Sequence, residues 1–297
     1  MKILTVIAGA TSSGKTALSI KLARHYQSEI ISADSRQFYR GMDIGTAKPS
    51  PEELDAIPHH LINSLNVTEA YNIGRFETEA LALANALFQI HDVIFLVGGS
   101  GLYIDAMCDG IDDLPESVPA IRNELYSLIK TSGIEALQEK LRSVDPEYYS
   151  EVDLNNPQRL MRALEVYLVS GKKYSALRLK NKKSRDFMVK KIGLLVDRDE
   201  LYERINNRVD SMISNGLVEE VKSLLAFRYE NALQTVGYKE IFDYFDSQCT
   251  LPEAINRIKQ NTRNYAKRQM TWFRRDPEIK WFEADEMDKM IRYIDGK

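Results

Sequence analysis

The run Ile3-Leu4-Thr5-Val6-Ile7-Ala8 is almost continuously apolar and β-branched, and it ends in Gly9. It predicts a strand buried on both faces, as in a parallel sheet. A helix is expected from near Gly14. Glu29 to Ala33 predicts a second strand and Val93 to Val97 a third, which runs into Gly98-Gly99. Helical patterns separate them, so an α/β sheet with crossover helices is expected. After Gly110 the strand signals stop. Asp112, Asp113, Pro115, Pro119, Gly133, Pro146 and Pro157 punctuate short helical patterns as far as about Arg185, which predicts a helical insertion. Its last helix is the best marked: Asn156 can cap, Pro157 suits the first helical position, and Gly171 suits a left-handed C-terminal cap. Leu160, Leu164 and Leu168 recur every four residues, leaving Arg159 and Arg162 to another face. Strand character returns over 189–196. Helices follow over 199–215, from 217 to about 227 and from 252 to about 273, with a closing strand at Ile279 to Phe282. The pattern divides the chain into a core of residues 1–112 and 187–297 and an insertion of residues 113–186.

The 297 residues carry 40 Lys+Arg against 43 Asp+Glu, a net charge of -3, which by itself argues against a nucleic-acid partner. The distribution reverses that impression. Between Pro157 and Lys191 eleven basic residues face only Glu165 and Asp186, and between Arg257 and Lys280 eight face only Asp276 and Glu278. Such segregation predicts a polyanionic partner. Cys108 and Cys249 stand alone, excluding a disulfide framework or a four-cysteine zinc site. The Ile3–Ala8 run is too short for a signal-peptide core, and no apolar stretch approaches the ~20 residues of a membrane helix. A cytoplasmic protein with no membrane partner is expected.

Gly9-Ala10-Thr11-Ser12-Ser13-Gly14-Lys15-Thr16 satisfies the phosphate-loop pattern G-x-x-x-x-G-K-[ST] between a predicted strand and a predicted helix, the context it requires. Glycines let backbone N–H groups curl around a di- or triphosphate, the Lys15 ammonium reaches a phosphate oxygen, and the Thr16 hydroxyl suits Mg²⁺. The expected fold is therefore α/β: a P-loop NTPase-like parallel sheet core flanked by helices, with an all-helical insertion domain. Asp34 ends the second strand and should face the crevice holding the phosphate loop. It is read as a base, a partner of the metal, or a turn or cap residue. Gly98-Gly99-Ser100-Gly101 ends the third strand at the same edge, with a hydroxyl where a kinase-like protein often carries a metal-binding Asp. Arg204 and Arg208, four apart and opposite Leu201, Ile205 and Val209, either point at a pyrophosphate or form a solvated face. Arg263, Lys267 and Arg274 share a stripe beside Trp272 and Phe273, a mixture suited to nucleic acid. His25, His59, His60 and His91 are read as structural, and the two cysteines as small buried residues.

Together these motifs resemble the tRNA dimethylallyltransferase (tRNA isopentenyltransferase) family. The resemblance rests on Gly9 to Thr16, Asp34 to Pro49, Gly98 to Tyr103, Asn156 to Glu165, Val236 to Glu240 and Tyr265 to Arg274, in order over nearly the whole chain. It implies transfer of a dimethylallyl group from dimethylallyl diphosphate to the exocyclic amine of the adenosine just 3′ of the tRNA anticodon, with Mg²⁺. It further implies that Gly9, Ala10, Thr11, Ser12, Ser13, Gly14, Lys15 and Thr16 take the diphosphate, with Thr16 on the metal. Asp34 is then the base, and Ser100, Lys15 and Arg208 complete the catalytic set. Asp34, Ser35, Arg36, Gln37, Ser100, Arg122, Gln158, Arg159, Leu160, Met161 and Arg162 would meet the anticodon stem-loop. The sequence departs from the family in having Ser100 where Thr is common and Lys239 where Arg is common. Two distant cysteines cannot supply the zinc finger of the eukaryotic branch, so the bacterial form is expected, as a monomer. Three other readings remain open here: a small-molecule kinase, a prenyltransferase acting on free adenine nucleotides, and a non-catalytic phosphate-binding RNA module.

Overall fold

The computed structural model describes residues 1–179 and 181–297; Lys180, counted above in the first basic segment, lies outside the described residues. In chain order the elements are β1 (Ile3–Ala8), α1 (Lys15–His25), β2 (Ile30–Ser32), α2 (Pro51–Ala56), β3 (His59–His60), α3 (Ile73–Leu87), β4 (Val93–Gly98) and α4 (Gly101–Asp109). Next come α5 (Pro119–Ser132), α6 (Glu135–Val144), α7 (Pro146–Glu151), α8 (Pro157–Ser170) and α9 (Tyr174–Leu177). The chain closes with β5 (Met188–Leu194), α10 (Arg198–Ser214), α11 (Leu217–Ser223), α12 (Tyr238–Phe245), α13 (Leu251–Phe273), β6 (Ile279–Phe282) and α14 (Met287–Asp295). It divides into two compact units, residues 1–108 with 184–297, and residues 109–183.

In the first unit all strands pair in parallel, in the order β3-β2-β4-β1-β5-β6. Side chains alternate across a strand, so β1 sends Leu4, Val6 and Ala8 to one face and Ile7 to the other. The first set packs with Phe76, Ala80 and Ala84 of α3, Ile104 of α4, and Ile258 and Phe273 of α13. Ile7 joins Phe95 and Ile192 beneath Leu18 and Leu22 of α1 and Met290 and Ile294 of α14. Both faces are covered, which is why the β1 run is hydrophobic without alternation. The strand ends at Ala8, Ser32 and Gly98 lie along one edge of this parallel sheet, where ligands bind in open α/β folds.

The second unit has its own core of Leu125, Leu137, Leu141, Tyr148, Leu160, Met161 and Leu164. Asn156 caps α8 by accepting from the Arg159 amide, Pro157 opens it, and Gly171 closes it at φ +70°. Leu168 departs from the expected leucine stripe: α8 is covered over only part of its length, and this side chain is 42% exposed.

Not every cation of the two basic segments is open to a partner. Lys191 is buried in β5 and donates to Asp276 Oδ2 (2.7 Å) and Glu278 Oε2 (2.8 Å). Arg185 pairs with Glu77 and donates to the Ala106 and Met107 carbonyls. Burying a cation requires such partners, and these two are committed to the fold. No helix of the described residues is long and apolar enough to cross a membrane.

Candidate active site

β1 stops at Ala8 and the chain turns through Gly9 (φ +152°), Ser12 (φ +64°) and Gly14 (φ +95°) before α1 begins at Lys15. Glycine takes such angles without the steric penalty of a Cβ, and the first-turn amides of α1 have no partner within the helix. The Ser12 and Ser13 hydroxyls are buried without any hydrogen-bond partner. Buried hydroxyls without a partner among the described residues cost stability, and with helix-start amides beside them they suit an oxyanion. Lys15 Nζ donates to the Ala10 carbonyl (2.7 Å). Burial, and next the charge of Arg208, pull its pKa down to about 8, against the opposing field of Asp34. Arg208 of α10 donates from Nη1 to Thr11 Oγ1 (3.3 Å), and burial pulls its pKa below the usual guanidinium value. Arg204, one turn earlier, pairs with Glu200 at 2.5 Å on the solvated face. The two arginines therefore separate, and Arg208 alone enters the site.

Asp34 follows β2 by two residues. Its Oδ1 accepts from the Arg36 amide (2.9 Å) and the Gln37 amide (3.4 Å), making a tight turn, and Oδ2 has no partner among the described residues. The turn reading of Asp34 is thus met through one oxygen, and the other is left without a partner among the described residues. The Ser35 amide donates to Ser100 Oγ (3.1 Å). Gln37 Nε2 donates to the carbonyls of Thr46 and Ala47, both at 3.2 Å, and so fixes a lip over the turn. That lip is held from beyond by Glu220 of α11, whose carboxylate accepts from the amides of Asp43 (2.8 Å), Ile44 (2.7 Å) and Gly45 (2.9 Å) and from the Tyr238 hydroxyl (2.6 Å). Gly45 lies flat on the Tyr238 ring, where a Cβ would come within 2.6 Å.

One stripe of α13 grips the end of β4. Burial pushes the Tyr265 hydroxyl pKa up to about 12, against the lowering effect of the neighbouring Ser100 side chain. One turn on, Gln269 accepts from the Thr11 amide (2.8 Å) and donates to the Gly99 carbonyl (2.9 Å). Trp272 covers Gly101, and its Nε1 donates to Asp105. Phe273, expected beside RNA, is buried in the core, because it lies on the sheet-facing side of the helix.

These parts surround one cavity of about 430 Å³. It brings together Thr11 to Thr16, Asp34 to Gln37 and Arg208, with Val209, Met212, Val236 and Ile258 as an apolar wall. Among the expected residues Gly9 contributes backbone shape and Ala10 its carbonyl to Lys15. Ser100 stands behind the Asp34 turn and supports it. Tyr265, Gln269 and Glu220 are the functional neighbours that the sequence reading missed.

In the helical unit, Arg122 Nη2 donates to Gln158 Oε1 (2.9 Å), and Gln158 Nε2 donates to the Tyr126 hydroxyl (3.1 Å), a polar patch with exposed Arg159 beside it on α8. Arg162 pairs with buried Glu165 (3.1 Å), which also accepts from the Ser117 hydroxyl and the Val118 amide. Leu160 and Met161 are corrected: both side chains are buried in the unit's core and hold α8 instead of reaching a ligand.

A family model described as IPP transferase matches residues 37–276. The tRNA dimethylallyltransferase of Christiangramia forsetii is 52% identical over 292 residues, covering 98% of this chain and 97% of that protein. Among solved structures, the full-length tRNA isopentenylpyrophosphate transferase of Bacillus halodurans matches with a TM-score of 0.73 at 38% identity, covering 100% of this chain and 96% of that one. A eukaryotic dimethylallyltransferase captured acting on tRNA matches with a TM-score of 0.80 at 28% identity, covering 97% of this chain and 75% of that one.

Proposed function

The chain belongs to the IPP transferase family, and from that premise we propose that it is a tRNA dimethylallyltransferase: it moves the dimethylallyl group of dimethylallyl diphosphate onto N6 of the adenosine 3′ to the anticodon. The observation that carries this reading is that two unlike sets of groups line one cavity. The orphaned Ser12 and Ser13 hydroxyls, Lys15 and Arg208 suit a diphosphate. Asp34, with one oxygen unpartnered among the described residues, and the apolar Val209, Met212, Val236 and Ile258 line the same cavity.

The exocyclic amine of adenine is a weak nucleophile, because its lone pair is delocalised into the ring. As the new C–N bond forms at the allylic carbon, the C–O bond to diphosphate breaks and the amine proton passes to Asp34 Oδ2. Charge then develops on the departing diphosphate. Lys15, Arg208 and the loop amides stabilise it most where water is excluded. Val209, Met212, Val236 and Ile258 hold the prenyl chain away from water, which would otherwise compete for it.

No group of three or more His, Cys, Asp or Glu side chains among the described residues is arranged to hold a metal. The Thr16 hydroxyl, one neutral oxygen, would hold Mg²⁺. A bound ion there would supply positive charge to the leaving group. The acceptor RNA reaches the cavity only after its adenine leaves the stack, which costs a few kcal/mol and is easiest in a loop. The polar patch of Arg122, Gln158 and Arg159 is our candidate for holding the stem-loop, in the cytoplasm where tRNA is found.

The test is mass spectrometry of nuclease digests after incubating the protein with dimethylallyl diphosphate and an anticodon stem-loop. One five-carbon prenyl unit on the adenosine 3′ to the anticodon is expected. Unmodified RNA with intact, folded protein would overturn the reading.

A further inference from the structure

We propose that Gln269 is a positioning residue for this transfer, setting the separation between the diphosphate-holding loop and the acceptor-side turn. The inference deepens the reading above and rests on donor and acceptor meeting in one cavity. Gln269 is 6% exposed, lines that cavity, and makes two hydrogen bonds in opposite directions. Its Oε1 takes the Thr11 amide at 2.8 Å, and its Nε2 gives to the Gly99 carbonyl at 2.9 Å.

Each of those atoms leads to one half of the site. Thr11 also receives Arg208 on its hydroxyl, so the oxygen end of Gln269 fixes the residue that carries the leaving-group arginine. Gly99 precedes Ser100, whose Oγ accepts from the Ser35 amide and so fixes the turn that presents Asp34. A Cβ at Gly99 would lie 2.1 Å from Gln269 Nε2, so the close approach depends on glycine there. Because the Thr11 amide is engaged by Gln269 and the Ser13 amide by the Ala10 carbonyl, it is the Ser12 amide and those from Gly14 on that remain for the diphosphate.

Only a primary amide fits this bridge. It offers an acceptor and donors in one plane, whereas a carboxylate has acceptors only and a thioether has no adequate donor. Gln269→Glu would set a carboxylate oxygen against the Gly99 carbonyl, and Gln269→Met would leave both backbone groups unpaired. Either change lets the two loops drift by a few tenths of an ångström. Transfer between bound groups is far more sensitive to such drift than the binding of each group alone.

The experiment compares wild type, Gln269→Met and Gln269→Glu in single-turnover transfer to the stem-loop, beside calorimetric affinities for inorganic diphosphate and for the unprenylated stem-loop. We expect transfer to slow by about tenfold or more in both variants while each affinity stays within about threefold. If the Met variant fails to fold, the near-isosteric Glu variant carries the test. Transfer within about threefold of wild type would overturn the inference, as would a loss of transfer matched by equal losses in both affinities, the signature of a merely structural role. A wild type that prenylates no RNA overturns the underlying functional reading first, and that result is separate because it precedes any variant.

Discussion

Asp34 lines the cavity, and its Oδ1 fixes the turn through the Arg36 and Gln37 amides, while Oδ2 has no partner among the described residues. Asp34→Asn keeps a side-chain oxygen for the turn but removes the proton acceptor. Single-turnover transfer should therefore fall by roughly 10²–10⁴ with diphosphate affinity almost unchanged. Wild-type rates in that variant would remove Asp34 from its role. Lys15 makes a prediction in pH. Its pKa is drawn down to about 8, so the free protein loses this cation as pH rises through that value. A bound diphosphate favours the charged form, so binding above pH 8 must take up a proton. Affinity should then weaken by up to about tenfold per pH unit relative to a Lys15→Met variant. Calorimetric titrations of both proteins across pH 7–10 measure the difference, and parallel curves would refute it. Lys15, Thr16 and Asp34 were legible in the sequence because a phosphate loop is a local pattern and a strand-end carboxylate sits next to its strand. Gln269 and Glu220 were not, since each acts on backbone groups far away in sequence, at Thr11 and Gly99 or at Asp43 to Gly45. Leu160 and Met161 were named because the resemblance implies the stretch as a whole, although the leucine spacing already set Leu160 on another face than Arg159 and Arg162, and both side chains are buried.

At the scale of elements, α11 shows how a helix remote from the chemistry shapes it. Glu220 gathers three successive amides and the Tyr238 hydroxyl, and the lip they anchor meets Gln37 beside Asp34. Glu220→Ala leaves these groups without their acceptor, which should cost about 1–3 kcal/mol of stability. Hydrogen exchange should quicken at Asp43, Ile44 and Gly45, and the apparent KM for the stem-loop should rise while diphosphate affinity holds. Unchanged exchange at those amides would contradict this. The long elements were readable from periodicity, and α8 even down to its caps at Asn156 and Gly171. Several elements were missed, α4 and α12 among them, and three others differ in kind. The α2 capping box, Ser50 with Glu53, and the α14 spacing of Met287, Met290, Ile291 and Ile294 were present and unread. β3 has two residues, His59 and His60, too few for any alternation to register, and it exists because β2 offers an edge to pair with.

For the molecule as a whole, the near-neutral net charge conceals a chain whose basic residues are concentrated in two segments. The structure removes Arg185 and Lys191 from that pool and leaves exposed cations such as Arg159. If Arg159 contacts an RNA phosphate, Arg159→Ala should reduce the dependence of log K on log[salt] by about 0.7–0.9. The same logic separates an RNA enzyme from one that prenylates free nucleotides. An anticodon stem-loop brings a run of phosphate contacts that help offset the extrusion of its adenine and orient the amine, and AMP, with a single phosphate and no neighbouring nucleotides, lacks that run. The most direct measurement is kcat/KM for prenyl transfer to the stem-loop and to AMP, side by side with the same dimethylallyl diphosphate. A preference of at least about 10²-fold for the stem-loop is the predicted result, and equal or better transfer to AMP would contradict the account.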